Sequence, residues 1–435
     1  MAAEDRISRR QFLRRGTAAV AAAAVAPHIV PASAFGKDAP SERVAMGFIG
    51  IGNQAGGHLT GGAWTYLPGG YLARDDVQVL AACDVLRDRR ERAKARCNEH
   101  YANKLGKGNY KACEAYVDFR DVLARDDIDA VLLGTPVHWH ALMSNLAARA
   151  GKDVYCEKPC LLTIREGRAM VDAVRRYGRV YQAGTQQRSE YGGKFCLACE
   201  LVRSGRIGQL KSVYAMLGGG GFTPGGPAPA TGRPVPDGLD WDLWLGPAPW
   251  RPYQGSLDAH MFGWGSINWG QHHYDIVQWG INADDTGPTD IYWDDGRLAY
   301  RFASGVVVYG CPYPGEKVGG SGGCTFVGTE GRIAVDRENL VAYPSRILEQ
   351  PLGADDVHLY ESNSHSGNFL DCVRTRKRAI CHAEVSHRAM SILLLGGIAE
   401  QLHRPLKWDP KEEHFINDAE ADRLLSAPYR EPWRI

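Results

Sequence analysis

Glu157, Lys158 and Pro159 follow directly on the apolar run at residues 153–156. A lysine at the carboxyl end of a parallel strand stands where such sheets bind ligands, and Pro159 fixes the backbone direction just after it. A partly desolvated ammonium in that place hydrogen-bonds a reacting oxygen and stabilises alkoxide character. Glu157 is read as positioning rather than carrying protons. A second constellation lies in NWGQHHYD, residues 268–275. If that stretch is helical, Asn268, His272 and Asp275 follow at spacings of four and three and share a face. His272 is then the natural proton acceptor and Asp275 its orienter. The Asn268 amide orients a hydroxyl but cannot take its proton, and His273 is expected to face away.

The elements that must carry these groups show as five apolar runs at 44–50, 76–84, 128–136, 152–159 and 178–184. They alternate with helical patterns such as RDRRERAKARCNEHY and TIREGRAMVDAVRRYG, which predicts a doubly wound parallel α/β sheet. The first strand runs into GFIGIGNQAGG, where Gly50 and Gly52 permit the tight turn and the helix start at Asn53 and Gln54 suits a pyrophosphate. Ala55 stands where a third glycine is usual. Asp84 ends the second strand and can accept from the ribose hydroxyls of NAD. It falls 34 residues after Gly50, so residues 61–76 form an extended loop. Arg87, Arg89 and Arg90 can hold a 2′-phosphate, which keeps NADP as the alternative cofactor. Thr135 and Pro136 close the third run, and His138 and His140 follow at the strand-to-helix turn. Their place near the expected nicotinamide favours cofactor contact or helix capping, and with no third ligand at motif spacing no metal is expected.

TPVHWHA (135–141), EKP (157–159), GTQQR (184–188), RSGRIGQLKSV (203–213) and NWGQHHYD occur in this order along the chain. Together they resemble the glucose–fructose oxidoreductase, inositol dehydrogenase and rhizopine-catabolism family, Gfo/Idh/MocA, over residues 43–403. The resemblance implies a Rossmann domain at 43–184 and an α/β domain with a large, mostly antiparallel open sheet at 185–403, followed by a tail at 404–435. It implies a cleft between the domains, with nicotinamide on one wall and a sugar or cyclitol on the other. It places Lys158 beside both cofactor and substrate, with Glu157 and Gln186 near the cofactor and Arg188 on substrate hydroxyls. The family pattern reads D-x-G-x-H-x-x-D, and here its first acid is Asn268. The base is therefore His272 or Lys158, or the reaction departs from plain alcohol oxidation.

Residues 218–253 are rich in glycine, proline and tryptophan, the signature of a long functional loop. Trp241, Trp244, Trp250 or Trp264 could line a carbohydrate cleft, with Trp264 and His272 taken as substrate contacts. Residues 289–311 and 323–343 alternate as antiparallel strands. Eleven scattered cysteines, an odd number, read mostly as buried thiols.

The N-terminus carries Arg9 and Arg10, then an alanine-rich apolar stretch and Ala32-Ser33-Ala34, and resembles a twin-arginine export signal over residues 1–34. Without those residues, which hold five arginines and two acids, the formal charge falls from +1 to −2. That balance gives no nucleic-acid surface. The expectation is a periplasmic protein delivered by the twin-arginine machinery, membrane-anchored if the signal stays uncleaved, and a homo-oligomer. That route carries folded proteins with cofactors bound, and the periplasm offers no free cofactor pool, so the cofactor is expected to be held tightly and its redox state restored within each turnover. The first reading is an exported NAD(P)-dependent oxidoreductase of a sugar, sugar derivative or cyclitol hydroxyl. The alternatives are an NAD-dependent glycoside hydrolase or lyase working by transient oxidation and elimination, and a non-catalytic NAD- and carbohydrate-binding protein.

Overall fold

The five apolar runs become strands of one sheet in the computed structural model, which describes residues 43–62, 64–106, 110–215, 230–257, 267–315 and 322–435. These strands are β1 (Val44–Ile49), β2 (Val77–Cys83), β4 (Ala130–Leu133), β5 (Asp153–Cys156) and β6 (Tyr181–Ala183). A short edge strand, β3 (Glu114–Tyr116), was not foreseen. The order is β3-β2-β1-β4-β5-β6, all parallel. Helices cover both faces, which is why β4 and β5 are buried at every position and read as unbroken apolar runs. The strand order reverses between β1 and β4, so the binding crevice opens at their carboxyl ends. Helix Ile164–Arg176 starts on a capping box: Thr163 accepts from the Glu166 amide, and Glu166 accepts from the Thr163 amide.

The second sheet has nine strands: β7 (Leu210–Ala215), β8 (Asp290–Asp294), β9 (Arg297–Arg301), β10 (Val307–Tyr309), β11 (Gly323–Gly328), β12 (Arg332–Asp336), β13 (Leu340–Tyr343), β14 (Leu406–Asp409) and β15 (His414–Phe415). Its order is β13-β12-β11-β7-β10-β9-β8-β14-β15, and only the β7–β10 pair is parallel. Asp295 and Gly296 both have positive φ and make the two-residue turn between β8 and β9. Helices Ile267–Gly280 and Ala383–Leu402 pack against each other and against this sheet.

The expected separate tail is instead part of both domains. Residues 404–435 supply β14 and β15, whose Leu406, Trp408 and Phe415 are buried, and Trp433 packs on Trp139 at 4.7 Å. Tyr429 donates to Glu166 at 2.5 Å. Helix His365–Thr375 braces the domains, because its Phe369 and Leu370 join the core around Met46 and Phe48. A buried ion cluster does the same on another side: Arg168 holds Glu384 at 2.9 Å and Glu413 at 2.8 Å, and Arg388 and His387 complete those carboxylates. All eleven cysteines are free thiols, and all but Cys196 and Cys311 are buried. Among the described residues no helix is long and apolar enough to cross a membrane. The expected signal at 1–34 and Trp264 lie outside the described residues.

Candidate active site

A cavity of about 350 Å³ opens at the carboxyl ends of β1, β2 and β4, and Gly50, Gly52, Asn53, Gln54, Asp84, Thr135 and Pro136 all line it. Gly50 has φ +78, and a β-carbon there would lie 2.7 Å from the backbone nitrogen of Thr135, so only glycine fits the turn. The helix Asn53–Thr60 begins with no side-chain cap and no acid in its first turn, which leaves its leading N–H groups for an anion. Ala55 replaces the usual third glycine because Gly134 faces it; a β-carbon on Gly134 would come within 2.6 Å of the Ala55 methyl. Asp84 accepts from the Leu86 amide at 2.8 Å, and burial pushes its carboxyl up. Arg89 also lines the cavity. These features fit a dinucleotide: a glycine cradle for the pyrophosphate and an acid at the end of β2 for the ribose.

Leu243, Trp244 and Leu257, from the Gly/Pro/Trp-rich segment, close the opposite wall of this cavity. Sequence alone did not place them there. The segment crosses onto the first domain through an isolated bridge between Leu86 and Leu239 and through the bond from the Asp240 amide to the Val85 carbonyl. Trp241 and Trp244 stack at 4.6 Å as its core, whereas Trp250 is exposed.

The histidines of the HWH motif, expected at the cofactor or as a helix cap, hold this strap and the lysine loop. His138 Nε2 donates to the Trp244 carbonyl at 2.9 Å, and Trp139 Nε1 donates to the same carbonyl at 3.1 Å. His140 Nδ1 donates to the Pro159 carbonyl at 2.6 Å. Neither histidine lines the nucleotide cavity. Burial lowers both imidazoles, His138 to about 4, so both stay neutral near pH 7. Gly246, at φ +52, lets the strap lie on the Trp139 ring, which a β-carbon there would strike.

Lys158 leaves the end of β5 and meets the helix Ile267–Gly280: its Nζ donates to Asn268 Oδ1 at 2.5 Å. It also lies 5.9 Å from the Trp269 ring centroid, and the His272 ring lies 5.9 Å from that same indole. The structure thus brings Lys158, Asn268 and His272 together at one indole. Burial lowers Lys158, against the pull of Glu157 and with the help of Arg337. Burial also pushes His272 well below the usual imidazole range, and Lys158 and Arg337 add to the effect. Among the described residues His272 Nδ1 makes no hydrogen bond.

Glu157 turns the other way, into the first domain, where its Oε1 meets His58 Nε2 at 2.7 Å with both groups buried. Burial pushes this carboxyl up, but His58 and Lys158 outweigh it and leave it below its ordinary range. Glu157 is therefore a buried anion beneath Lys158.

Asp275 does not orient His272. Its Oδ1 accepts from Arg188 Nε at 3.0 Å, and the same guanidinium holds Asp284 at 2.7 Å. The helix is buried on nearly every side, so sharing a face did not determine which neighbour Asp275 would meet. Burial pushes the Asp275 carboxyl up against the pull of Arg188. Arg188 is correspondingly not a substrate contact: it is 3% exposed, lies over Trp279 at 4.9 Å, and is saturated by two carboxylates. Gln186 donates to the Tyr155 hydroxyl at 3.3 Å inside the protein, and Gln187 donates to the His272 carbonyl at 3.2 Å. His273 faces the second sheet, where a β-carbon on Gly322 would lie 2.5 Å from its Nε2.

Two family models match the chain. One, an oxidoreductase family with an NAD-binding Rossmann fold, covers residues 44–185; the other, an oxidoreductase-family C-terminal α/β domain, covers 221–300 and 352–435. A glycosyl hydrolase family 109 protein from Shewanella baltica strain OS185 is 29% identical over 222 residues, 47% of this chain and 44% of the relative. A glycosyl hydrolase family 109 protein 1 from Shewanella sp. strain MR-4 is 30% identical over 218 residues, with 47% and 44% covered. The chain spans less than half the length of the curated relatives it matches. The crystal structure of aldose-aldose oxidoreductase from Caulobacter crescentus, complexed with glycerol, aligns at TM-score 0.56 and 17% identity over 84% of this chain and 99% of that one. The WlbA dehydrogenase from Bordetella pertussis, in complex with NADH and UDP-GlcNAcA, aligns at TM-score 0.54 and 17% identity with the same coverage. At these identities the likeness is one of fold.

Proposed function

This chain belongs to the Gfo/Idh/MocA oxidoreductase family, and from that premise we propose that it oxidises a carbohydrate or cyclitol hydroxyl with a tightly held NAD(P). The observation that supports the reading is the bond from Lys158 Nζ to Asn268 Oδ1, which joins the nucleotide-binding sheet to the second domain. Bound in the cavity at Gly50 and Asp84, NAD(P) supplies a hydride acceptor. Lys158, lowered by burial, takes the hydroxyl proton and as ammonium stabilises alkoxide character. Asn268 holds that amine in place without competing for the proton. His272, pushed down by burial and by Lys158 and Arg337, is a weak base and orients a neighbouring hydroxyl instead.

A second reading has its own support. The curated relatives are named glycosyl hydrolase family 109 proteins, and Asn268 stands where the family has an acid. In that case, oxidation at one carbon acidifies the adjacent C–H, the aglycone leaves by elimination, water adds, and the hydride returns, with no net redox change. Both readings use the same first step, and fold does not choose between them. Export of the folded, cofactor-loaded protein belongs to the proposal and rests on Arg9, Arg10 and the Ala32-Ser33-Ala34 site. Assembly as a homo-oligomer is part of it as well.

The test starts with protein purified without added cofactor, then denatured, its released nucleotide identified by mass spectrometry. Stoichiometric NAD or NADP is expected, and an empty protein defeats the tight-binding reading. Steady NADH formation with one sugar marks the dehydrogenase, aglycone release without NADH marks the hydrolase, and binding without conversion of any sugar defeats both. Trp244→Ala removes one wall of the cavity, and burial of an aromatic ring is worth about 1.5–3 kcal/mol. Bound nucleotide should then leave about tenfold faster in a dilution assay, and unchanged release would show that the strap does not hold the cofactor.

A further inference from the structure

We infer that the substrate carries a carboxylate and that Arg337 receives it, an inference that rests on the carbohydrate reading above. Arg337 follows the end of β12 in the second domain and is half-buried. Its guanidinium lies 4.8 Å from the Trp269 centroid and 4.9 Å from that of Tyr191, two rings that hold its plane. Nε points to Gln187 Oε1 at 3.4 Å. Among the described residues no carboxylate pairs with Arg337, and its two terminal nitrogens have no partner.

That contrasts with four other arginines. Arg168, Arg188, Arg206 and Arg376 each hold a carboxylate at 2.5–2.9 Å. A half-buried cation without an anion costs stability, and here a second cation, Lys158, lies over the same indole. Arg337 depresses Lys158, and both depress His272; Lys158 has the Glu157 anion beneath it, whereas no described carboxylate pairs with Arg337. A planar carboxylate fits the terminal nitrogen pair end-on in two parallel hydrogen bonds, which a hydroxyl cannot make. A single sugar residue would then present its acid to Arg337 and its reacting hydroxyl to Lys158. A uronic acid has that arrangement of groups.

The nucleotide-loaded protein should be titrated calorimetrically with D-glucuronate and D-galacturonate, their methyl esters, the parent hexoses, and glucose 6-sulfate. At least one free uronate is expected to bind more than about tenfold tighter than its ester, the effect of a hydrogen-bonded charge worth about 1.5–3 kcal/mol. Raising salt should erode that preference. In Arg337→Gln, with nucleotide content reporting an intact fold, the uronate-to-ester ratio should fall to about one. Equal binding of acids and esters, or an unchanged ratio in Arg337→Gln, overturns the inference and leaves the carbohydrate reading standing. Tighter binding of the sulfate than of any uronate overturns the carboxylate assignment. Binding of none of these sugars overturns both readings.

Discussion

Lys158→Ala is expected to lower kcat by about 10³-fold while the protein keeps its full complement of nucleotide. Proton transfer by a positioned group is worth about 10²–10⁴-fold, and the lost ammonium removes alkoxide stabilisation as well. Nucleotide content should persist because Lys158 does not line the cavity at Gly50 and Asp84. The two measurements separate a chemical role from a binding one. Single-turnover reduction of the bound cofactor by excess substrate isolates the chemical step, and mass spectrometry counts the nucleotide. Small primary amines should restore part of the rate, because they supply the missing group to the space it leaves between Asn268 and Trp269. Near-wild-type turnover would end the assignment, and loss of nucleotide would move Lys158 to cofactor binding.

The sheet that positions Lys158 was legible because burial on both faces writes a strand as a continuous apolar run; β4 and β5 are buried throughout. The capping box at Thr163 and the Asp295-Gly296 turn are local signals of the same kind, readable without tertiary context. Strand β3 was not readable, being three partly exposed residues at an edge. The glycine turn after β1 was readable, because such a turn is built from consecutive backbone. The second wall of the site was harder, since its partners come from distant segments. Nothing in GTQQR says that Arg188 will be neutralised by Asp275 and Asp284, 87 and 96 residues on. His138 and His140 were placed correctly at a strand-to-helix turn, but their ring N–H groups are spent on carbonyls at Trp244 and Pro159. Trp269 lay inside a motif already singled out and was passed over for its polar neighbours. Arg337 had no local signal, because its significance is the acid it lacks.

Asn268→Asp tests the one departure from the family pattern. At position 268 the wild type has a neutral amide oxygen 2.5 Å from Lys158 Nζ. Burial and Arg337 push the amine down, and Glu157 and Cys160 pull it up. An aspartate would put a negative charge in direct contact and favour the ammonium. The sign follows: a base works only when unprotonated, so its activity is present above its pKa and lost as pH falls through it. A raised Lys158 therefore moves the acid limb of the kcat profile to higher pH. At pH 7 the rate should fall about tenfold or more, since each pH unit of displacement costs a factor of ten in neutral amine, and it should recover under alkaline conditions. Restoration at high pH distinguishes this from damage to the fold, which alkali would not repair. The opposite result is equally readable. If Asn268→Asp raises NADH formation at pH 7 and moves the limb toward acid, the new carboxylate is itself taking the proton. The asparagine would then be a base this chain has given up, and the transient-oxidation chemistry would lose its structural support. A collapse of native turnover with recovery at high pH instead makes the amide a working part: it holds Lys158 without charging it, and the amine stays available as the base.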